Sequence, residues 1–201
     1  MKRRTFVVGM AAAATLPMVP MRPTMAQSQG DTVTYRADLT ALNSSVTGSD
    51  ASGEVVMTIS GDDLTIHITV KGVPPDMMHL QHFHGFPEPG KSAQCVTMAQ
   101  DANGDGIIDI VETEPVSGTT MVPFHDDPVS MAIVNDTYPT ADANGAYTYD
   151  KTVSLKALEE AFAKQFPDTK GDLDLGNRVV YVHGIPADQE LPATVASLGD
   201  I

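Results

Sequence analysis

The chain has 201 residues, with 12 Lys and Arg against 26 Asp and Glu and a formal net charge of −14. That length allows one domain with a real core. The acidic balance argues against nucleic acid or anionic lipid as a partner, and the single cysteine, Cys95, excludes an internal disulfide.

Residues 1–26 read as an export signal. Lys2, Arg3 and Arg4 open it, an Ala-, Val- and Met-rich run follows, and Thr24-Met25-Ala26 closes it with small residues. Arg3-Arg4-Thr5-Phe6-Val7 looks like a twin-arginine signal, a route that carries folded proteins and so permits a metal to be loaded before export. The run is too short, and too broken by Pro17 and Pro20, to span a bilayer as a permanent helix, and no stable membrane insertion is expected once the signal is removed. Removal leaves eight Lys and Arg against 26 Asp and Glu, a net charge of −18. The expected location is periplasmic or secreted, with a single domain over 27–201.

Within that domain, 32–42 alternates as a first strand and 43–52 is a Ser-, Gly- and Asp-rich loop. Val55, Met57 and Ile59 share one face of a second strand. Gly61-Asp62-Asp63 turns the chain into a third, with Leu64, Ile66, Ile68 and Val70 inward and His67 outward as a surface residue. Two strands joined by so tight a turn make the sheet antiparallel. After Pro74 and Pro75 comes 77–86, MMHLQHFHGF, with three of the six histidines. His82 and His84 are two apart, so an extended segment points both imidazoles to one face. Neutral imidazole suits copper, zinc, iron or nickel. His79 has the opposite parity and is expected to support the strand or join the core.

Residues 101–112 match a calcium loop of the EF-hand type. Asp101, Asn103, Asp105 and Asp109 supply side-chain oxygens, Ile107 a carbonyl and Glu112 a two-oxygen carboxylate. Gly106 stands at the sharp turn and Ile108 is the residue expected to pack inward. Pro115 argues against a long helix beyond Glu112, so a single grafted loop is expected, separate in its chemistry from the histidines. Further on, 119–124 and 146–153 read as strands. Residues 154–166 read as the one clear helix, with Ser154 as N-cap and Leu155, Leu158, Phe162 and Phe166 on one stripe. In 178–183, Val179, Tyr181 and His183 share a face. The tail from 185 carries two prolines and no strong period. Short strands, turn signals and one short helix predict an all-β fold, an antiparallel sandwich or barrel with loop insertions.

Two stretches carry a resemblance. Gly72-Val73 leading to His79-Leu80-Gln81-His82-Phe83-His84-Gly85 resembles the copper strand of Cu,Zn superoxide dismutases. Gly176-Asn177-Arg178-Val179-Val180-Tyr181-Val182-His183 resembles that family's Gly-Arg-(apolar)-His strand. The layout is also similar to CHRD-type secreted β-sandwiches. The resemblance implies a Greek-key sandwich or barrel with copper at His82, His84 and His183. His79 would then support the copper strand without binding metal. His125 has the chain order, though not the spacing, of the histidine that bridges copper and zinc, which makes it a candidate fourth ligand oriented by Asp126 or Asp127. Met77, Met78 and Met121 are soft groups that could assist Cu(I).

The departures from that family bear on activity. The zinc histidines are missing, the 101–112 loop occupies their region, Cys95 has no partner, and no arginine follows Arg178 to guide superoxide. The sequence therefore leads to an exported copper- and calcium-binding protein with dismutation in doubt. The alternative is a non-enzymatic CHRD-like domain that binds calcium only. Metal ions are the expected partners, and no protein partner is indicated. The choice turns on whether His183 meets His82 and His84 in space.

Overall fold

A computed structural model describes residues 32–133 and 136–184; the stretch at 1–26 expected to be an export signal and the tail from 185 lie outside the described residues. Seven strands form among these residues: β1 (Val33–Thr40), β2 (Ser52–Ser60), β3 (Asp63–Lys71), β4 (Gln81–Gly85), β5 (Thr119–Pro123), β6 (Ala146–Ser154) and β7 (Val179–Val182). They make two antiparallel sheets, ordered β1-β2-β3-β6 and β5-β4-β7. The sheets remain separate and no barrel closes, an arrangement consistent with a β-sandwich.

Alternation decides the first sheet. In β3, Leu64, Ile66, Ile68 and Val70 are buried while the residues between them are half-buried. Met57 pairs with Ile66 and Val55 with Ile68, so the apolar faces of β2 and β3 coincide. His67 points away from the core and pairs with Asp150, as its parity predicts. The second sheet adds Phe83, Met121 and Val122 to the same core, and the helix at 155–165 adds Leu158 and Phe162.

The helical content exceeds the single helix expected. The described residues contain α1 (Ser44–Thr47), α2 (Ile110–Ser117) and α3 (Leu155–Gln165). α3 starts where the N-cap predicts: the Ser154 hydroxyl accepts from the Ala157 amide at 3.1 Å. Asp62, in the β2–β3 turn, accepts from the Ser154 hydroxyl at 2.7 Å and the Lys156 amide at 2.9 Å, which binds the turn to the helix start. α2 was hidden by Pro115, which lies inside it. A reciprocal cap starts this helix: Asp109 accepts from the Glu112 amide at 3.1 Å, and the Glu112 carboxylate accepts from the Asp109 amide at 3.3 Å. Pro115 removes one internal donor but does not prevent two turns.

Candidate metal centre

β4 lies between β5 and β7, and all five of its residues are buried. Its pleat sends Phe83 into the core and His82 and His84 to the other face. Across the ladder, His82 faces Tyr181 and His84 faces Val179. His183 stands one residue beyond β7, and its amide donates to the Leu80 carbonyl at 2.8 Å. That bond extends the β4–β7 register far enough to bring the third imidazole onto the histidine face.

The three rings meet there. Ring centroids lie 4.9 Å apart for His82 and His84, 4.6 Å for His82 and His183, and 6.4 Å for His84 and His183. One ring nitrogen from each lies within 4.8 Å of the other two, the only such group of three or more His, Cys, Asp or Glu side chains among the described residues. Two donors on one metal at about 2.0–2.1 Å are separated by no more than roughly 4 Å, so modest side-chain rotation suffices for coordination. The group can hold a metal ion.

Electrostatics prepares it for that role. Burial holds the His82 imidazole well below its ordinary range, and the neighbouring His183 and His84 add to the effect. Burial lowers His84 to about 4, partly opposed by the Gly118 carbonyl, and lowers His183 to about 4. All three are neutral at pH 7 and keep a lone pair for a metal. The tautomer of His84 follows from its partners. Nδ1 donates to the Gly118 carbonyl at 3.3 Å, which leaves Nε2 as the lone-pair nitrogen. That Nε2 lies 3.1 Å from His82 Nδ1 and 3.0 Å from Thr120 Oγ1, inside the cluster. A ligating histidine whose other nitrogen donates to a carbonyl is the usual arrangement in metal sites.

His79 serves the cluster from behind. It is fully buried, with Nδ1 2.9 Å from the His183 carbonyl and Nε2 3.0 Å from the Pro74 carbonyl. Its ring stacks on Tyr147 at 5.7 Å, and the Tyr147 hydroxyl donates to Gln81 at 3.0 Å. The approach to β4, the end of β7 and strand β6 are thereby joined across the two sheets. A cleft of about 830 Å³, lined in part by Met77, His79, Cys95 and Tyr181, reaches the cluster at His183.

His125 does not join the cluster, and this corrects the expectation of a fourth ligand. It is fully buried, its Nε2 donates to the Ala132 carbonyl at 2.8 Å, and its Nδ1 accepts from the Asp127 amide at 3.0 Å. Both nitrogens hold the turn after β5, and the Asp127 backbone rather than a carboxylate orients the ring. Met121 is likewise core filling, fully buried among apolar neighbours.

The 101–112 loop folds as a ring built on its own amides. Asp101 accepts from Gly104 at 2.7 Å and Gly106 at 2.9 Å, Asn103 from Asp105 at 2.8 Å, and Asp105 from Ile107 at 2.9 Å. Glu112 closes the ring on the Ala102 amide at 2.7 Å. Ile107 and Ile108 are buried, as expected of the inward residue. Asn43, which the sequence placed in an unremarkable loop, grips this segment. Its side chain donates to the Ile108 carbonyl at 2.8 Å and accepts from the Ile108 amide at 2.7 Å.

The loop and the histidines are also closer relatives than the sequence suggested. α2 begins inside the loop, and Gly118, its C-terminal cap, is the carbonyl that His84 uses. Comparison with protein-family models, with curated proteins and with solved structures yields no match. Function therefore has to be argued from this geometry. Gly118, Thr120 and Tyr181 were missed because nothing in a linear pattern brings them to His84; only Tyr181 gave a signal, by sharing the parity of His183.

Proposed function

We propose that this chain is an exported metal-binding protein of superoxide dismutase-like fold, with copper held by His82, His84 and His183. The observation that carries the reading is the meeting of three neutral imidazoles, two from β4 and one from just beyond β7, each presenting a nitrogen within 4.8 Å of the others. An all-nitrogen donor set suits a borderline ion, and among common divalent ions copper binds such sites most tightly. The resemblance of 79–85 and 176–183 to the dismutase copper strands favours the same ion. Export through the signal at 1–26 to a periplasmic or secreted location belongs to the proposal. A structural calcium ion at Asp101, Asn103, Asp105, Ile107, Asp109 and Glu112 completes it. Its carboxylates would have to exchange their amide partners for the ion.

Binding, not turnover of superoxide, is the activity proposed. The surface is strongly acidic and repels an anion. No arginine follows Arg178 to offset it, and Arg178 itself is committed to the Leu173 and Phe86 carbonyls.

One observation favours the second reading, a CHRD-like domain that binds only calcium. His84 Nε2 is already engaged by His82 and Thr120, a self-contained network that needs no ion. Titration of the metal-depleted mature protein with Cu(II) separates the two. One equivalent bound with a visible ligand-field band, lost in His84→Ala and His183→Ala, supports copper. No binding at millimolar copper with calcium binding intact leaves the second reading. Superoxide decay, measured on the copper-loaded protein, tests turnover on its own.

A further inference from the structure

We propose that Tyr181 and Ser117 are positioning residues for His84, a role that rests on the copper reading above. The cluster depends on His84 presenting Nε2, and that choice depends on where the Gly118 carbonyl stands. The Nδ1 to Gly118 bond is long at 3.3 Å, so a small displacement of the carbonyl loses it.

Two features hold the carbonyl in place. Gly118 packs so closely on the Gly85 carbonyl that a side chain there would collide with it. The preceding residue, Ser117, is fully buried at the end of α2. Its hydroxyl donates to the Gln94 carbonyl at 2.8 Å, so its oxygen is left to accept from the Tyr181 hydroxyl 2.7 Å away. A directed chain results, from Tyr181 to Ser117 to Gln94, which fastens the end of α2 to β7.

Tyr181 then acts a second time. It stands opposite His82 in the ladder, on the histidine face, and its ring meets His84 edge-on at 4.7 Å. The ring is also 6.2 Å from His183. It limits rotation of His84 from the side while Ser117 and Gly118 set the partner of Nδ1. A residue chosen only to fill that space would be apolar, because a buried hydroxyl costs free energy unless it is bonded. Here the hydroxyl is spent on the helix end that orients a ligand.

The test uses Tyr181→Phe, Ser117→Ala and the double variant of the mature protein, titrated with Cu(II) and, as a spectroscopic probe, Co(II). Each single change should weaken copper binding about five- to tenfold, the worth of one ordinary hydrogen bond. Each should also shift the visible band and the copper resonance parameters. The double variant should lose no more than the larger single loss, because both delete the same bond. Wild-type affinity and spectra in Tyr181→Phe overturn the proposal, as does an effect confined to the unfolding midpoint of the metal-free protein. If Ser117→Ala does not fold, Tyr181→Phe alone decides. Wild-type protein that binds no copper overturns the copper reading and this inference together. Binding that is lost in His84→Ala yet unaltered in Tyr181→Phe overturns this inference alone.

Discussion

Gly85 and Arg178 interlock: a Cβ on Gly85 would collide with Arg178 Nη1 and lie 2.6 Å from its Cδ. The glycine that ends the His-x-His-Gly stretch and the arginine that immediately precedes β7 are therefore one structural unit. Arg178 is half-buried, donates to Leu173 and Phe86 at 2.8 Å each, and lies 5.9 Å over the Phe83 ring. Gly85→Ala should destabilise the protein by about 1–3 kcal/mol through overpacking. In an Arg178→Ala background the same change should cost much less. A four-member denaturation cycle checks this, and equal costs in both backgrounds would refute the interlock.

Acid should weaken the metal-free fold through the three histidines. Burial holds His84 and His183 at about 4 and His82 well below its ordinary range, whereas the same groups titrate near 6.5 when unfolded. Between those values the unfolded chain binds more protons, so stability is complete above about pH 6.5 and falls as pH drops toward 4. A denaturation midpoint followed from pH 8 to pH 4 should show that fall. The slope should flatten in His84→Gln, and an unchanged slope would show that other groups carry it.

His125 separates structure from metal binding. Replacing it with Ala removes the bonds to Ala132 and Asp127 and should cost about 1–3 kcal/mol of stability. Copper stoichiometry should stay at the wild-type value wherever the variant is folded. Loss of copper from a folded His125→Ala protein would return that residue to the ligand set.

Asn43 should prove as important to the acidic loop as the loop's own carboxylates. Asn43→Ala strands both backbone groups of Ile108 and places a Cβ-bearing residue at φ 58° with no side-chain bonds to hold it. A loss of about 2–4 kcal/mol is expected. Asn43→Gly keeps the backbone conformation and isolates the two hydrogen bonds. Hydrogen exchange at Ile108 should rise in both variants, and protection unchanged from wild type would rule the contact unimportant.

Glu112→Gln tests whether the loop speaks to the histidines. The carboxylate closes the loop on Ala102 and caps α2 at Asp109, and α2 ends at the carbonyl that His84 uses. The variant should bind calcium more weakly and shift the copper spectrum slightly. A copper spectrum identical to wild type, with calcium binding reduced, would restore the independence of the two sites.

Much of the fold was legible because side-chain direction along a strand is set by a period of two. That period was enough to bury Leu64, Ile66 and Ile68, turn His67 away from the core, and put His82 and His84 on one face. Ser154 marked the start of α3 for an equally local reason, the capping of an amide three residues away. α2 escaped because Pro115, which lies inside it, argued against a long helix beyond Glu112, and the cap between Asp109 and Glu112 that starts it emerged only in the structure.

What the sequence determined by itself was therefore each residue's facing and the boundaries of most elements, since both depend on near neighbours in the chain. Tertiary structure decided the partnerships. His183 and His125 are the same residue type, and His125 is the nearer of the two to His84 along the chain, 41 positions away against 99. One extends the β4–β7 ladder and arrives at the histidine face, while the other spends both nitrogens on its own turn. Which imidazole is left to face a metal depends on hydrogen bonds that exist only after the sheets have packed.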